Sequence, residues 1–220
     1  MRQPAAIVFD LDGTLVDSAT DIRCALNAVL AQDGLPSLGI SAVQLMIDGG
    51  PAVLVNRALD ELGVTAKSGH IARLTARFEQ TYLDQGNALT TLSSGAMDCL
   101  DNLARHDIPI GLCSNKPEQL CQQLLADLEI GHFFSAIQGS GCGLPMKPHP
   151  AALLAALHHL DATPEIALYV GDSGTDVETA RAAGVPIALV RFGYTAKPAE
   201  TLAADWVVDG LADIPSLWQS

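Results

Sequence analysis

Four short clusters of the 220-residue chain carry side chains suited to chemistry. Asp10-Leu-Asp12-Gly13-Thr14 sets two carboxylates two residues apart, and Gly171-Asp172-Ser173-Gly174-Thr175-Asp176 sets two more four residues apart. Ser114-Asn115-Lys116-Pro117 offers a hydroxyl, an amide and an ammonium, and Lys147-Pro148-His149-Pro150 puts a second lysine before a helix. Carboxylates brought together from separate clusters repel unless a cation or a proton joins them. A donor set of oxygens, without His or Cys, suits Mg²⁺ rather than a transition metal. A lysine and a Ser-Asn turn at a helix start recognise an anion. A metal, an anion site and a spare carboxylate together describe phosphoryl transfer.

Other chemistries fail on particular residues. An EF-hand loop needs glycine at its sixth position, where counting from Asp10 gives Leu15 and counting from Asp172 gives Val177. Gly171-Asp-Ser173-Gly-Thr175 lacks the last glycine of a nucleophile elbow. Gly139-Ser-Gly141-Cys-Gly143 is followed by Pro145, where a dinucleotide loop would open an apolar helix. The five cysteines include no CxxC pair and are expected as free thiols of a reducing compartment.

The elements that must position these clusters follow from the apolar pattern. Ala5-Ala-Ile-Val-Phe9 is a continuous apolar run ending at Asp10, as in a strand buried on both faces. Ile22, Ala25, Leu26, Val29 and Leu30 mark one face of a helix, and further helical patterns start at Pro51 and near Ile71. From Ala96 onward helices and strands alternate. Strands are expected at residues 108–113, 133–138, 166–170, 187–190 and 206–208, and helices at 117–128, 150–160 and 175–183. That alternation predicts an α/β fold: a doubly wound, Rossmann-like parallel sheet over residues 1–16 and 87–220, with an all-helical cap inserted at 17–86. Ligands bind such sheets at the carboxyl ends of the strands, where the polar clusters fall.

Composition narrows the partners. Twelve Lys and Arg against 25 Asp and Glu give a net charge of −13, which excludes a nucleic-acid backbone and offers nothing to an anionic membrane. With no signal-peptide core and no long apolar run, a cytoplasmic protein acting on a small phosphorylated metabolite is expected. The pattern sets no oligomeric state.

Phe9-Asp-Leu-Asp12-Gly-Thr14-Leu-Val-Asp-Ser18, Ser114-Asn115-Lys-Pro117, Lys147-Pro-His-Pro150 and Gly171-Asp-Ser-Gly-Thr-Asp176 resemble the four motifs of the haloacid dehalogenase-like phosphatases. The match runs over nearly the whole chain and looks most like the phosphoglycolate phosphatase branch. It implies Asp10 as nucleophile, forming an aspartyl-phosphate, and Asp12 as acid to the leaving alcohol and base to water. It implies Mg²⁺ held by Asp10, the Asp12 backbone carbonyl and Asp172. Ser114, the Asn115 amide and Lys147 would bind phosphoryl oxygens, with Thr14 and Asp176 in support, Asp176 orienting Lys147 or a ligand water.

Within the family, Asp12 selects phosphoryl chemistry over dehalogenation. Lys67, the one lysine between Asp17 and Gly86, is poorly placed for the Schiff base of a phosphonate hydrolase. Pyrophosphate hydrolysis and sugar-phosphate phosphatase or mutase activity are the alternatives. The branch usually carries Gly-Asn-Gly where this chain has Asp48-Gly49-Gly50, and Arg where it has Gln44. Asp48, Gly49 and Gly50 are therefore the candidate specificity residues of the cap.

Overall fold

The computed structural model describes residues 2–218. The chain divides into two compact units: one is the chain up to Asp17 and from Thr91 onward, the other is Ser18–Thr90.

The first unit is built on a parallel sheet. Strand β1 (Ala6–Phe9) leads to a two-residue strand, β2 (Val16–Asp17), which pairs antiparallel with β3 (Thr91–Leu92). The second unit intervenes with helices α1 (Ala19–Gln32), α2 (Ile40–Gln44), α3 (Pro51–Glu61) and α4 (Ser68–Gln85). After β3 come α5 (Ala96–Arg105), β4 (Ile110–Pro117), α6 (Glu118–Asp127), β5 (Phe134–Ser140), α7 (Ala151–His159), β6 (Ala167–Gly171), α8 (Gly174–Ala183), β7 (Ile187–Val190) and β8 (Trp206–Val208). The six long strands lie in the order β5-β4-β1-β6-β7-β8, every neighbouring pair parallel.

Alternation along the strands creates two buried faces. Ile7 and Phe9 of β1, with Ile110, Leu112, Leu168, Val170, Ala188 and Val190, pack against α5, α6 and the C-terminal 3₁₀ turns. Ala6 and Val8, with Ala167, Tyr169, Ile187 and Leu189, pack against α7 and α8. The sheet is therefore covered on both sides, which is why its strands read as apolar runs. Chain order reverses at β1: β4 and β5 lie on one side of it, β6 to β8 on the other. The crevice beyond the carboxyl ends of β4, β1 and β6 is this sheet's topological switch point.

The second unit is helical. Ile22, Leu26 and Val29 of α1, Leu54 and Leu59 of α3 and Leu74, Phe78 and Tyr82 of α4 are buried, with α1 packed on α2 and α4, and α3 on α4. The buried Asp21 accepts from Leu89 N–H (3.0 Å) and the Thr90 hydroxyl (2.7 Å), tying the end of the unit to its first helix. Gly50 is the N-cap of α3, with Pro51 at the first turn. The Arg57 guanidinium donates to the Met46 and Asp48 carbonyls (3.2 and 2.6 Å), bracing the turn that holds Asp48, Gly49 and Gly50.

Most elements fall within a residue or two of the sequence expectation, and the end of β4 departs furthest. β4 runs on past Cys113 to Pro117, with an irregular register, because Pro117 still pairs with Ser140 of β5. The Ser114 cluster therefore lies within the strand's last residues, and Pro117 occupies the N-cap of α6. β2, β3 and α2 are too short to leave a periodic pattern.

Candidate active site

Each polar cluster arrives at the switch point on its own strand. Asp10 follows β1, with its N–H bonded to Val170 O at 2.8 Å, so β6 fixes its backbone. Asp172 follows β6, Ser114 and Asn115 end β4, and Lys147 comes from the loop after β5. One carboxylate oxygen each from Asp10, Asp172 and Asp176 lies within 4.8 Å of the others, all three residues being buried.

Lys147 is the cation among these acids. Its Nζ is 2.8 Å from Asp10 Oδ1 and 2.7 Å from Asp176 Oδ1, and it donates to Tyr169 Oη at 2.9 Å. Tyr169 is fully buried and its hydroxyl is also 2.8 Å from Asp176 Oδ1 and 3.2 Å from the Cys113 carbonyl. Asn115 locks the lysine's backbone reciprocally: its Oδ1 accepts from Lys147 N–H (2.8 Å) and its Nδ2 donates to Lys147 O (3.0 Å). The Asn115 side chain is thereby committed to placing Lys147.

Asp176 organises the β6–α8 turn. Its Oδ2 accepts from the N–H groups of Asp172 and Ser173 (3.2 and 3.1 Å) and from the Ser173 hydroxyl (2.8 Å). Ser173 accepts in turn from Asp176 N–H at 3.3 Å, completing a capping box at the start of α8. With both oxygens engaged, Asp176 is a holder of Lys147 and of the turn.

Asp172 is held from the other side. Its Oδ2 accepts from Tyr194 N–H at 2.7 Å, and its Oδ1 from the Thr14 hydroxyl at 3.3 Å. Close packing here requires glycine: a Cβ on Gly193 would fall 2.1 Å from Asp172 Cβ, and one on Gly171 would fall 2.5 Å from Asp176 Cγ. Tyr194 also donates its phenol to Asp17 Oδ1 at 2.6 Å.

The electrostatics are those of a site built for one more positive charge. Burial, then the Asp176 charge, raise Asp10 to about 7, although Lys147 opposes the rise. Burial, Asp176 and Asp10 likewise push Asp172 well above the usual carboxylate range. Asp176 stays below that range: burial raises it, but Lys147's charge and its hydrogen bonds prevail. Burial alone would lower Lys147, and the carboxylates at Asp10 and Asp176 hold it well above its ordinary value. Asp10 Oδ1 is buried and lies 2.8 Å from the Lys147 ammonium. Three buried carboxylates within 4.8 Å of one another, two of them raised chiefly by burial, fit a hard divalent cation.

Asp12 stands apart from this cluster. Its carboxylate turns to Lys116, whose Nζ lies 3.0 and 3.2 Å from the two oxygens, so any metal contact at this residue falls to its backbone carbonyl. Of the sequence candidates, Asp10, Asp172, Asp176, Lys147, Asn115 and Thr14 interlock directly, and Ser114 is buried on the same strand end, its Oγ accepting from Lys116 N–H. Asp48, Gly49 and Gly50 belong to the helical unit. Three participants have no role in the sequence reading: Tyr169, Lys116 and the Gly193-Tyr194 pair. Their signals were a buried phenol in an apolar strand, a lysine inside a quoted motif, and a glycine-tyrosine step beyond the carboxyl end of β7.

A doubly wound parallel sheet with a buried acid–lysine cluster at its switch point is a Rossmann-like α/β core, and similarity to known proteins gives it a family. Residues 7–190 match the family model described as haloacid dehalogenase-like hydrolase, and the chain belongs to that family. It falls in the phosphoglycolate phosphatase-like branch. It is 39% identical over 218 residues to phosphoglycolate phosphatase 1 of Pseudomonas aeruginosa, covering 97% of this chain and 79% of the relative. It is 38% identical over 219 residues to the phosphoglycolate phosphatase of Rhodospirillum rubrum, covering 96% and 89%. The crystal structure of a predicted phosphoglycolate phosphatase from Haemophilus somnus superposes with a TM-score of 0.91 at 29% identity, covering 99% of both chains.

Proposed function

We propose that this protein is a Mg²⁺-dependent phosphatase that hydrolyses phosphoglycolate, or a small phosphate monoester like it, through an aspartyl-phosphate on Asp10. The observation that carries this reading is the buried Asp10 with Lys147 2.8 Å away and the Asp172 and Asp176 carboxylates within 4.8 Å. The names of the relatives support the substrate.

Asp10 and Asp172, with the Asp12 carbonyl, would hold the metal, which supplies charge neutralisation between nucleophile and phosphate. The Ser114 hydroxyl, the Asn115 backbone N–H and the Lys147 ammonium bind the non-bridging oxygens. Lys147 acts there as a point charge held in place by Tyr169, Asp176 and the Asn115 side chain. An Asp10 oxygen attacks phosphorus as the bond to the ester oxygen breaks, and Asp12 gives its proton to that oxygen. Asp12, now a carboxylate, takes a proton from water, whose oxygen attacks the phosphoryl group and releases Asp10 and inorganic phosphate.

The test is phosphate release from phosphoglycolate with Mg²⁺, after EDTA, and after Mg²⁺ is restored. Loss and recovery of activity are expected, together with stronger turnover of phosphoglycolate than of pyrophosphate or sugar phosphates. Full activity after exhaustive EDTA treatment would refute the metal, and a preference for another phosphoester would refute the substrate.

A further inference from the structure

The site described above uses the backbone N–H of Tyr194 and leaves its side chain without a task. That N–H reaches Asp172 Oδ2 at 2.7 Å, and the phenol of the same residue donates to Asp17 Oδ1 at 2.6 Å, 177 positions away in sequence. An O–H···O⁻ bond of that length belongs to the strong, charge-assisted class. Between these two ends the ring covers the turn that follows Asp12: a Cβ on Gly13 would fall 3.0 Å from Tyr194 Cδ2 and 2.6 Å from Asp172 Oδ2. One residue thus joins the Asp172 carboxylate, Gly13 and Asp17.

The segment it fastens needs an outside tie. Beyond Asp10 the chain turns back on itself, with the N–H groups of Thr14, Leu15 and Val16 returning to Leu11 O at 3.2, 3.0 and 3.1 Å. β2 then pairs with β3 at two positions, Val16 with Leu92 and Asp17 with Thr91, and a ladder that short is marginal by itself. The Thr14 hydroxyl ties the near end of the turn to Asp172 at 3.3 Å, and Tyr194 reaches its far end at Asp17. Asp12 bridges to Val16 through the backbone, so a fixed β2 also fixes the backbone that presents Asp12 to substrate. Resting on the phosphatase reading above, we infer that Tyr194 is a positioning residue that clamps the turn over residues 12–17 to the metal ligand Asp172. A cation bound at Asp172 then stiffens β2 and β3, the strands on which the chain leaves the sheet unit and returns to it. Outer partners orient a metal ligand, and by reciprocity a ligand immobilised by its cation immobilises the partner.

Hydrogen exchange with and without Mg²⁺ reads the clamp in the absence of substrate. In wild type, Mg²⁺ should slow exchange in peptides covering residues 14–17 and 91–93 as well as 167–176. Tyr194→Phe keeps the ring and the N–H, and should lose the slowing at 14–17 and 91–93 while keeping it at 167–176. Asp17→Asn still offers an oxygen to the phenol and should retain most of the slowing. Asp17→Ala should match Tyr194→Phe, and the double variant should lose no more than either. On phosphoglycolate, Tyr194→Phe should lower kcat roughly tenfold at nearly constant KM, since Asp12 is displaced while Ser114 and Lys147 are untouched. Slowing at 14–17 and 91–93 that survives in Tyr194→Phe, additive losses in the double variant, or a raised KM with kcat unchanged would each overturn the clamp. A wild type with slowing confined to 167–176 would overturn the clamp alone, and one with no slowing at 167–176 would overturn the metal reading and the clamp with it.

Discussion

In the proposed mechanism Asp10 must be ionised to attack phosphorus, yet the fold that buries it favours its protonated form. Its carboxyl rises from 3.8 to about 7 through burial and the neighbouring Asp176 charge. Below 3.8 the group is protonated in both folded and unfolded chains. Between 3.8 and 7 the unfolded chain ionises first, so stability present at low pH is lost as pH rises through the folded value, on the order of 4 kcal/mol in full. Asp10→Asn removes that penalty while Lys147 keeps Asp176 as its partner. In EDTA, calorimetry should find Asp10→Asn more stable than wild type at pH 8, with little difference at pH 4. A variant less stable at pH 8 would contradict the electrostatic account. The same substitution should abolish turnover, since an amide is no nucleophile here. Asp12→Asn should still accept a phosphoryl group from an aryl phosphate and then stall for want of a base. Acid-quenched mixtures should yield a phosphoenzyme with Asp12→Asn and none with Asp10→Asn; turnover of Asp12→Asn near the wild-type rate would refute its role.

The turns after β6 and β7 act as a jig for these side chains. The capping box that starts α8 is the same set of bonds that fixes Asp176 and the backbone of Asp172, so helix initiation and site assembly are one event. From the other side, Gly193 lets the chain come close enough for Tyr194 N–H to reach Asp172 at 2.7 Å. Gly193→Ala forces these groups apart, and loss of such an outer partner typically weakens a metal about 10- to 100-fold. The Mg²⁺ concentration giving half-maximal activity should rise by that order, and an unchanged value would reject the role of this turn. Much of this level was legible in the sequence. β1, β6, β7 and β8 declared themselves as apolar runs because both sheet faces are covered, and Asp10, Asp172 and Lys147 followed from their place after strands or before a helix. The end of β4 was hidden because Ser114, Asn115 and Lys116 are polar and break the register before Pro117 pairs again with β5, a pattern that reads as a loop. Tyr169 read as one more apolar strand residue, since only three-dimensional packing reveals what its hydroxyl meets. Tyr194 contributes a backbone N–H, which no side-chain motif announces.

Across the molecule, all the groups assigned to phosphoryl transfer belong to the unit formed by the chain up to Asp17 and from Thr91 onward. The unit Ser18–Thr90 has its own apolar core and its own polar ties, among them Asp33 of the α1 end with Arg77 and His70 of α4 at 2.6 and 2.8 Å. Among the described residues no helix is long and apolar enough to cross a membrane. This division has a thermodynamic consequence for metal binding. A ligand stabilises only those openings that destroy its site, by about 2.7 kcal/mol when its concentration is 100 times its dissociation constant. Opening of β1, β4, β6 or the α8 cap would scatter Asp10, Lys147 and Asp172, whereas local fraying within α3 or α4 leaves all three untouched. Hydrogen exchange with and without Mg²⁺ should therefore show slowed exchange in peptides covering residues 6–14, 110–117 and 167–176, with α3 and α4 unchanged. The Asp172→Asn variant should lose most of that protection at the same Mg²⁺ concentration, because one of its two carboxylate ligands is gone. Protection spread evenly over both units, or retained in Asp172→Asn, would place the cation away from the β1–β6 edge and reject the site.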